Sequence, residues 1–436
     1  MQKRPGRMPM TASGSGDVSP RVPELDSLRA LGALTILGFH LRPGTFFFGW
    51  TRSDLFFVIS GYLITQIIYR HASRPGFLLR FWARRALRIW PAYYLMLAVL
   101  FVAAWAHGQS LSAAGLVSHA SFTQNLPYYW SGRVPGFAPA AIQTWSLAIE
   151  EQFYLVWPLL VVVSGRWMLA PAAVWLVVTS MVMRLQGVFP AVALARGDGL
   201  ALGSILALAL NRWAASRPAC PSTPAASVVV SPRSSPTIEA CPGPEAAARP
   251  ARPTGPRRSW LPSAMLLAAG AVGLFFVSGP LPRGEEPIPG VCGCGPWSIL
   301  AVNVVYTSLV GLVVLNTGSS LLAPLRWSPL LYIGRISYGI YLYNLLIIEY
   351  VHRYFGSRSV TADLAAAELS ILAGAISWEL LEKPIGMLKR WFPYPDSKPR
   401  FEVAASTHRD PEPGLQIPES ASETTHSGRC PVEVPA

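Results

Sequence analysis

The sequence predicts an all-α integral membrane protein, a bundle of about ten transmembrane helices with both termini in the cytoplasm. Only 14% of its 436 residues are charged, whereas soluble globular chains carry about 25%. Hydrophobic residues make up 51% of the chain, and its 15 Trp, 15 Tyr and 18 Phe suit membrane interfaces, where amphipathic rings collect. Long apolar runs alternate with basic loops, so we expect a multi-pass protein of the cell membrane.

Ten stretches of the sequence are apolar and long enough to cross a bilayer, which takes about 20 residues. The first follows a polar stretch that has no cleavage site, so we expect a retained helix and not a signal peptide. The ten predicted segments are 26–43, 54–70, 90–107, 144–163, 168–187, 197–211, 260–279, 297–316, 330–351 and 363–381.

The basic residues of the loops predict the orientation of the helices. The inner stretch 70–88 carries six arginines, whereas the outer stretch 108–143 carries Arg133 alone. Cytoplasmic loops are enriched in Lys and Arg, so this alternation favours an even number of helices with both ends inside. The same bias accounts for the net charge of +13, so no nucleic-acid partner is expected. The expected partner around the bundle is membrane lipid.

Composition divides the chain into two helical cores with polar segments between and around them. The linker is crowded with Pro, Ala and Arg, and the tail with Pro, Glu, Ser and Thr, so neither has enough apolar surface to offset the entropy of ordering. We expect a disordered N-terminus at 1–24, a six-helix core at 25–213, a disordered cytoplasmic linker at 214–258, a four-helix core at 259–396 and a disordered cytoplasmic tail at 397–436. The sequence leaves the oligomeric state open.

Two ionisable residues share one face of the first predicted helix. Arg29 and His40 bracket ten uncharged residues in R-A-L-G-A-L-T-I-L-G-F-H. A spacing of eleven is about three helical turns plus 20°, which puts both side chains on one stripe, roughly 16 Å apart along the axis. Ionisable groups inside a membrane face a cavity or a partner, and rarely lipid. We therefore expect this stripe to face the interior, with Arg29 near the cytoplasmic end and His40 in the outer half.

Four further stretches follow this pair in a fixed order. They are D-L-F-F-V-I-S-G-Y-L-I-T (54–65), F-L-L-R-F-W-A-R-R-A-L-R-I-W-P-A-Y-Y (77–94), T-W-S-L-A-I-E-E-Q-F-Y-L-V-W-P (144–158) and I-G-R-I-S-Y-G-I-Y-L-Y-N (333–344). Together with the Arg29–His40 pair they resemble the motifs of the acyltransferase 3 family, which are membrane-embedded O-acyltransferases. The resemblance covers most of 21–390 apart from the linker.

The resemblance implies transfer of an acyl group, commonly acetyl, from a cytoplasmic acyl-CoA to a hydroxyl. The expected acceptor is a carbohydrate of a surface polysaccharide, a lipid or a natural product, and no bound cofactor or metal is expected. His40 is the expected general base or acyl carrier, because a hydroxyl ionises only far above neutral pH. The alternative is a structural histidine bonded to a backbone carbonyl. Family members often carry His where this chain has Asn344, and an amide cannot carry a proton near neutral pH.

Carboxylates at outer helix ends are the candidates to orient His40, with Arg29 as a further catalytic residue. Asp54 and Glu150 take this role in our prediction, since a nearby carboxylate fixes the tautomer of a histidine. Glu150 and Glu151 point about 100° apart, so both are not expected to face His40. The alternative is that these acids stabilise helix N-termini through the helix dipole.

Other polar residues at similar depth are expected to bind the acceptor. Arg196 and Asp198 stand together in R-G-D-G at the start of the sixth segment. The predicted acceptor-binding residues are Glu151, Asp198, Tyr338 and Asn344.

Arginines recur every three or four positions in the basic inner loop, which puts them on one stripe if the loop is helical. Arginine pairs with phosphate through a planar fork, so this stripe suits the nucleotide end of CoA. The predicted acyl-CoA-binding residues are Arg84, Arg85 and Arg88, with Arg335 at the same depth. Contact with anionic lipid is the alternative role.

A membrane transporter is the main rival to an acyltransferase. Polar groups that line a bundle can bind and move a substrate, such as a sugar- or lipid-linked molecule, without chemistry. A transporter predicts helix-breaking Gly or Pro pairs in matching halves, and the sequence has no such symmetry. A non-catalytic scaffold would not require the phased Arg29 and His40.

Overall fold

The computed structural model is helical in all its described regular elements, and no strand occurs among them. The described residues are 22–108, 111–126, 139–188, 191–215, 264, 267, 270–271, 296–356 and 359–394. The predicted N-terminal segment, linker and tail lie almost wholly outside these ranges. The helices are α1 (Pro23–Leu41), α2 (Arg52–His71), α3 (Phe77–Ala106), α4 (Ala113–Ala120), α5 (Trp145–Ser164), α6 (Leu169–Leu185), α7 (Ala193–Arg196), α8 (Asp198–Ala215), α9 (Pro296–Leu315), α10 (Ser328–Phe355), α11 (Val360–Ser377) and α12 (Lys383–Met387).

Six helical stretches in the described part of the chain are long and apolar enough to cross a membrane. They are Phe77–Ala106, Ala141–Ser164, Arg166–Leu185, Trp297–Leu315, Ser328–Phe355 and Val360–Trp391. Their outward side chains, such as Trp105 and Val163, are largely exposed, as lipid-facing residues are. Nine of the ten predicted segments overlap a described helix, and most of the seventh, 260–279, lies outside the described residues. The total of ten therefore stays a prediction.

Helices α1, α2 and α8 do not belong to the six apolar stretches because they carry charged residues. Glu24, Asp54 and Asp198 on these helices are all fully buried. The bundle therefore keeps its most polar helices in the interior, where partners are within reach.

Helix α3 begins at Phe77, well before the start of the predicted third segment at residue 90. The basic stretch that precedes residue 90 is thus helical and continuous with the apolar stretch that follows. Pro91 lies inside this helix. The inner stretch is therefore helical, which is the condition for its arginines to share one stripe, and Arg84, Arg85 and Arg88 line one cavity.

Helices α2 and α8 cross at a contact that leaves room only for glycine. A Cβ atom on Gly61 would lie 2.0 Å from the carbonyl oxygen of Leu200, and one on Gly203 would lie 2.1 Å from that of Val58. Small residues let helix backbones approach closely, which is the main source of packing energy between helices in lipid. A second close contact joins α1 to α10, and it brings the Arg29 and His40 face of α1 against α10.

Candidate active site

A large basic cavity opens at the end of the bundle where α1 begins and α2 ends. Its volume is about 710 Å³, within the usual range for ligand sites. Eight Lys and Arg side chains and two carboxylates line it among the described residues. The arginines of this basic cavity are Arg29, Arg70, Arg84, Arg85, Arg88 and Arg335. All four predicted CoA-binding arginines and Arg29 thus meet at one place.

Helix α3 presents its arginines to the basic cavity from successive turns. The guanidinium of Arg84 donates to the carbonyl oxygens of Lys389 (3.3 Å) and Phe392 (3.1 Å) and lies 4.8 Å from the ring centre of Tyr394. Arg85 lies against the ring of Tyr154 at 5.7 Å. Aromatic rings and backbone carbonyls therefore contact the two guanidinium groups.

His40 points into the bundle and bonds to Asn344 on α10. The distance from His40 Nδ1 to Asn344 Oδ1 is 2.8 Å. Asn344 Nδ2 donates to the carbonyl oxygens of Ile340 (3.1 Å) and Tyr341 (3.0 Å), so its Oδ1 is the acceptor for His40. Nδ1 then carries the proton of the neutral imidazole, and Nε2 carries the lone pair.

The prediction that a carboxylate orients His40 was wrong. An amide performs this task, and Asn344 therefore belongs beside the histidine as a positioning residue. Its contact with His40 joins positions 304 residues apart, which no local pattern in the sequence could indicate.

A second cavity, about 20 Å³ in volume, adjoins His40. This is room for about one water-sized group. We call it the histidine cavity, and its lining includes Ile36, His40, Trp50, Arg52, Gln143 and Trp145. It shares no lining residue with the basic cavity. Arg52 and Gln143 were missed from the sequence, although an arginine directly before an apolar membrane helix is a signal that could have drawn attention.

Glu150 lies between the two cavities and does not bond to His40. Its carboxylate accepts hydrogen bonds from Tyr154 (2.9 Å) and Ser60 (3.3 Å). The charges of Arg29, in the basic cavity, and Arg52, in the histidine cavity, both act on it. Glu150 therefore interacts electrostatically with one arginine of each cavity.

Asp54 and Asp198 form buried ion pairs and not parts of an open site. Arg196 binds Asp54 through two hydrogen bonds of 2.9 and 2.7 Å, and Arg184 binds Asp198 through two of 3.1 and 2.9 Å. All four side chains are at most 2% exposed. These bidentate pairs satisfy the carboxylates, so the predictions of Asp54 as the orienting acid and of Asp198 as an acceptor ligand are corrected to structural roles.

The four predicted acceptor-binding residues do not form one site. Asn344 bonds to His40, and Asp198 to Arg184. Glu151 accepts a hydrogen bond of 3.2 Å from the indole of Trp90 on α3. Tyr338 lines the basic cavity and donates to the carbonyl of Ile89 at 2.8 Å. The four residues were predicted to share a site because they lie at a similar depth in the membrane. They do not share a cavity, because side chains at one depth can point in different directions and contact different partners.

Comparison with known proteins identifies the first core. Residues 22–194 match the family model described as an acyltransferase domain. This match supports the resemblance of this part of the chain to the acyltransferase 3 family. Four of the five family motifs lie inside the matched residues, including the Arg29–His40 pair, and the fifth follows in α10 at 333–344.

Relatives of the acyltransferase 3 domain include named O-acetyltransferases. A peptidoglycan O-acetyltransferase of Listeria monocytogenes is 35% identical over 167 residues, which cover 34% of this chain and 26% of that protein. A putative peptidoglycan O-acetyltransferase of Bacillus subtilis is 37% identical over 37% of this chain and 27% of its own length. An O-acetyltransferase of Staphylococcus aureus is 38% identical over 33% of this chain and 25% of its own length. The chain thus spans about a quarter of the length of each of these three relatives. No solved structure matches the chain.

Proposed function

We propose that the protein is an integral membrane O-acyltransferase that moves an acetyl group from acetyl-CoA to a hydroxyl of a carbohydrate. One observation carries the proposal: the basic cavity and the histidine cavity both open on the same face of α1, at Arg29 and at His40. Helix α1 can thus contact a polyanionic donor through Arg29 and supply a basic nitrogen through His40. The names of the relatives support an O-acetyl product and make a peptidoglycan-type glycan the first acceptor to test.

The donor binds with its phosphates in the basic cavity. Arg84, Arg85, Arg88 and Arg335 supply cations for the phosphates of CoA, because guanidinium groups bind phosphate oxygens in pairs. Arg29 marks the inner limit of this cavity, and the acyl arm must advance about 16 Å along α1 to reach His40. The path passes Glu150, whose hydrogen bonds to Ser60 and Tyr154 have to open for the arm.

His40 acts as the general base on the acceptor hydroxyl. Its Nδ1 is held by Asn344, so Nε2 takes the hydroxyl proton as the oxygen attacks the thioester carbonyl. The carbon–sulfur bond then breaks, and the imidazolium returns the proton to the sulfur of CoA. An acetyl group carried on His40 Nε2 is the alternative route through the same atom.

The basic end of the bundle faces the cytoplasm in this proposal, where acyl-CoA is found. Both termini then lie inside, and the total is ten transmembrane helices in the cell membrane. The arginines of α3 fit this orientation through the positive-inside bias.

The test uses purified protein in vesicles with labelled acetyl-CoA and an oligosaccharide of N-acetylhexosamines. We expect labelled ester on the sugar and a loss of about 10²–10⁴-fold in His40→Ala, the usual contribution of a general base. His107→Ala, at an exposed histidine just after α3, is the matched control and should retain activity. Transfer that is unaffected by His40→Ala would remove this histidine from the mechanism. Uptake of the oligosaccharide without any ester would favour a transporter, and label recovered on His40 without acceptor would favour the covalent route.

A further inference from the structure

Two polar atoms of residues that line the histidine cavity lack hydrogen-bond partners. They are Arg52 Nε and Gln143 Oε1, and both are buried. Arg52 is 5% exposed and Gln143 is 6% exposed. Leaving a buried polar atom without a partner costs about 1–3 kcal/mol. A donor and an acceptor left unsatisfied around one histidine indicate a ligand that supplies the missing bonds.

Arg52 is held rigidly beside His40. Its guanidinium lies 4.0 Å from the ring centre of Tyr341, whose hydroxyl donates to the carbonyl oxygen of Gln143 at 2.6 Å. Ser146 also hydrogen-bonds to the Tyr341 hydroxyl at 3.0 Å. A cation fixed in this way needs no rearrangement to meet a developing negative charge, which is the requirement for an oxyanion site.

Gln143 offers an acceptor atom, Oε1, that has no hydrogen-bond partner. Its Nε2 donates to the carbonyl oxygen of Leu342 at 3.4 Å. This bond fixes the amide orientation, so Oε1 is the atom that remains for a ligand. The histidine cavity therefore brings together one base, one acceptor and one cationic donor: His40, Gln143 and Arg52.

We infer that Arg52 and Gln143 complete the transfer site, with Arg52 Nε donating to the oxyanion and Gln143 Oε1 accepting from a second donor group on the acceptor. The inference rests on the proposed function. As the acceptor oxygen bonds to the thioester carbon, its proton passes to His40 Nε2 and the carbonyl electron pair moves onto oxygen. Arg52 binds that oxygen. Collapse of the oxyanion breaks the carbon–sulfur bond, and the proton on His40 goes to the leaving sulfur.

This arrangement limits the class of acceptor. The histidine cavity, about 20 Å³ in volume, has room for the reacting hydroxyl, and the rest of the acceptor and of the thioester lies outside it. Gln143 Oε1 then selects alcohols that carry another N–H or O–H beside that hydroxyl, as sugars do and monohydric alcohols do not. The site therefore discriminates by an unsatisfied acceptor, which rejects partners lacking a donor more strongly than an apolar pocket can.

The experiment compares the kinetics of the unaltered protein and five variants with labelled acetyl-CoA. The acceptors are an N-acetylhexosamine oligosaccharide and ethanol, and CoA affinity is measured on each variant as a check of folding. For Arg52→Gln we expect kcat to fall about 10²–10³-fold, as when an oxyanion donor is removed, with the KM for acetyl-CoA unchanged. Arg52→Lys keeps the cation and should recover part of the rate. For Gln143→Leu we expect the KM for the oligosaccharide to rise about tenfold, with ethanol unaffected.

The matched control is Leu369→Met, an apolar change of similar volume at an exposed position of α11 outside both cavities, which should leave both constants within about twofold. If Arg52→Gln and Arg52→Lys both kept the original kcat while His40→Ala was inactive, the oxyanion role of Arg52 would be overturned and the acyltransferase would stand. An equal rise of KM for ethanol and for the oligosaccharide in Gln143→Leu would overturn the role of Gln143. Absence of any transfer by the unaltered protein would overturn the proposed function and this inference with it.

Discussion

The two cavities on α1 differ in size, in charge and in the way their side chains are held. The basic cavity measures about 710 Å³ and has eight cationic side chains in its described lining, whereas the histidine cavity measures about 20 Å³. Arg88 and Arg335 in the first are exposed. Arg52 in the second is buried and stacked on Tyr341. Exposed cations can adapt to a flexible polyanion, and buried ones hold a fixed geometry.

This difference separates affinity from chemistry. In the proposed mechanism, a change in the basic cavity alters how tightly the donor binds, and a change near His40 alters how fast the group moves. Interactions present in both ground and transition states affect KM, and those made only in the transition state affect kcat. The charges of Arg29 and Arg52, one from each cavity, both act on Glu150.

Removal of two arginines of the basic cavity should give the largest difference between the effect on KM and the effect on kcat. The double variant Arg85→Ala/Arg88→Ala is expected to raise the KM for acetyl-CoA about 100-fold, since charge-assisted hydrogen bonds contribute about 1.5–3 kcal/mol each. The kcat at saturating donor should stay within a few fold. Arg166→Ala is the matched control, because Arg166 lies at the same end but bonds to Tyr69 and Ser73 outside the cavity. Equal effects of the two changes would assign the arginines to lipid contact instead.

Loss of the amide partner of His40 should have a smaller effect, and this effect should be on kcat and not on the KM for acetyl-CoA. Asn344→Leu is expected to lower kcat about tenfold with the affinity for CoA unchanged, because Nδ1 then lacks the acceptor that fixes its proton. Steady-state kinetics with labelled acetyl-CoA measure both constants. A rise in the KM for acetyl-CoA without loss of kcat would contradict the separation between the two cavities.

A substitution at the α2–α8 contact should lower the stability of the helix bundle and should not change one cavity more than the other. Gly203→Ala adds a methyl group 2.1 Å from the Val58 carbonyl oxygen, and we expect a net loss of about 1–3 kcal/mol from overpacking. Gly44→Ala is the control, since a Cβ there meets nothing within 4 Å. Thermal unfolding in detergent compares them, and equal midpoints for the two variants would show that α2 and α8 can separate at no cost.

The smallest effect concerns pH and a histidine outside the membrane-spanning segments. Burial of His119, in the short helix α4, lowers its pKa, so the folded protein disfavours its protonation. Its contribution to stability is full above the unfolded pKa of about 6.5 and is lost as pH falls toward the lower folded pKa. The midpoint temperature of thermal unfolding should therefore fall when the pH is lowered from 7 to 5, and it should fall less in His119→Gln. The same pH dependence in both proteins would remove His119 as its origin; His107→Gln is the exposed control.

The sequence predicted the helices and the helix faces that line the two cavities. It did not predict which side chains pair with one another. The spacing of Arg29 and His40 was enough to predict that both lie on one inward face of α1. Residue type was enough to predict which arginines lie together in the basic cavity. The partners of the carboxylates could not be predicted in this way. Asp54 pairs with Arg196, 142 positions away, and His40 with Asn344 on a helix of the second core. Periodicity specifies a face, whereas a contact also needs the crossing of two helices.

The same reason explains why Arg52 and Gln143 were missed. Arg52 stands at the start of α2 and Gln143 just before α5, so neither belongs to a periodic stripe. Their shared cavity arises only when the ends of α1, α2 and α5 meet beside α10.

The buried pair of Asp54 and Arg196 has a consequence for biosynthesis. A lone carboxylate costs about 2.5–3.5 kcal/mol to transfer into lipid at the centre of a helix, and Asp54 lies in the first turn of α2, where the cost is smaller. The ribosome makes α2 long before Arg196 emerges, 142 residues later. The native pairing of Asp54 therefore becomes possible only after α7 has been made, late in the synthesis of the first core.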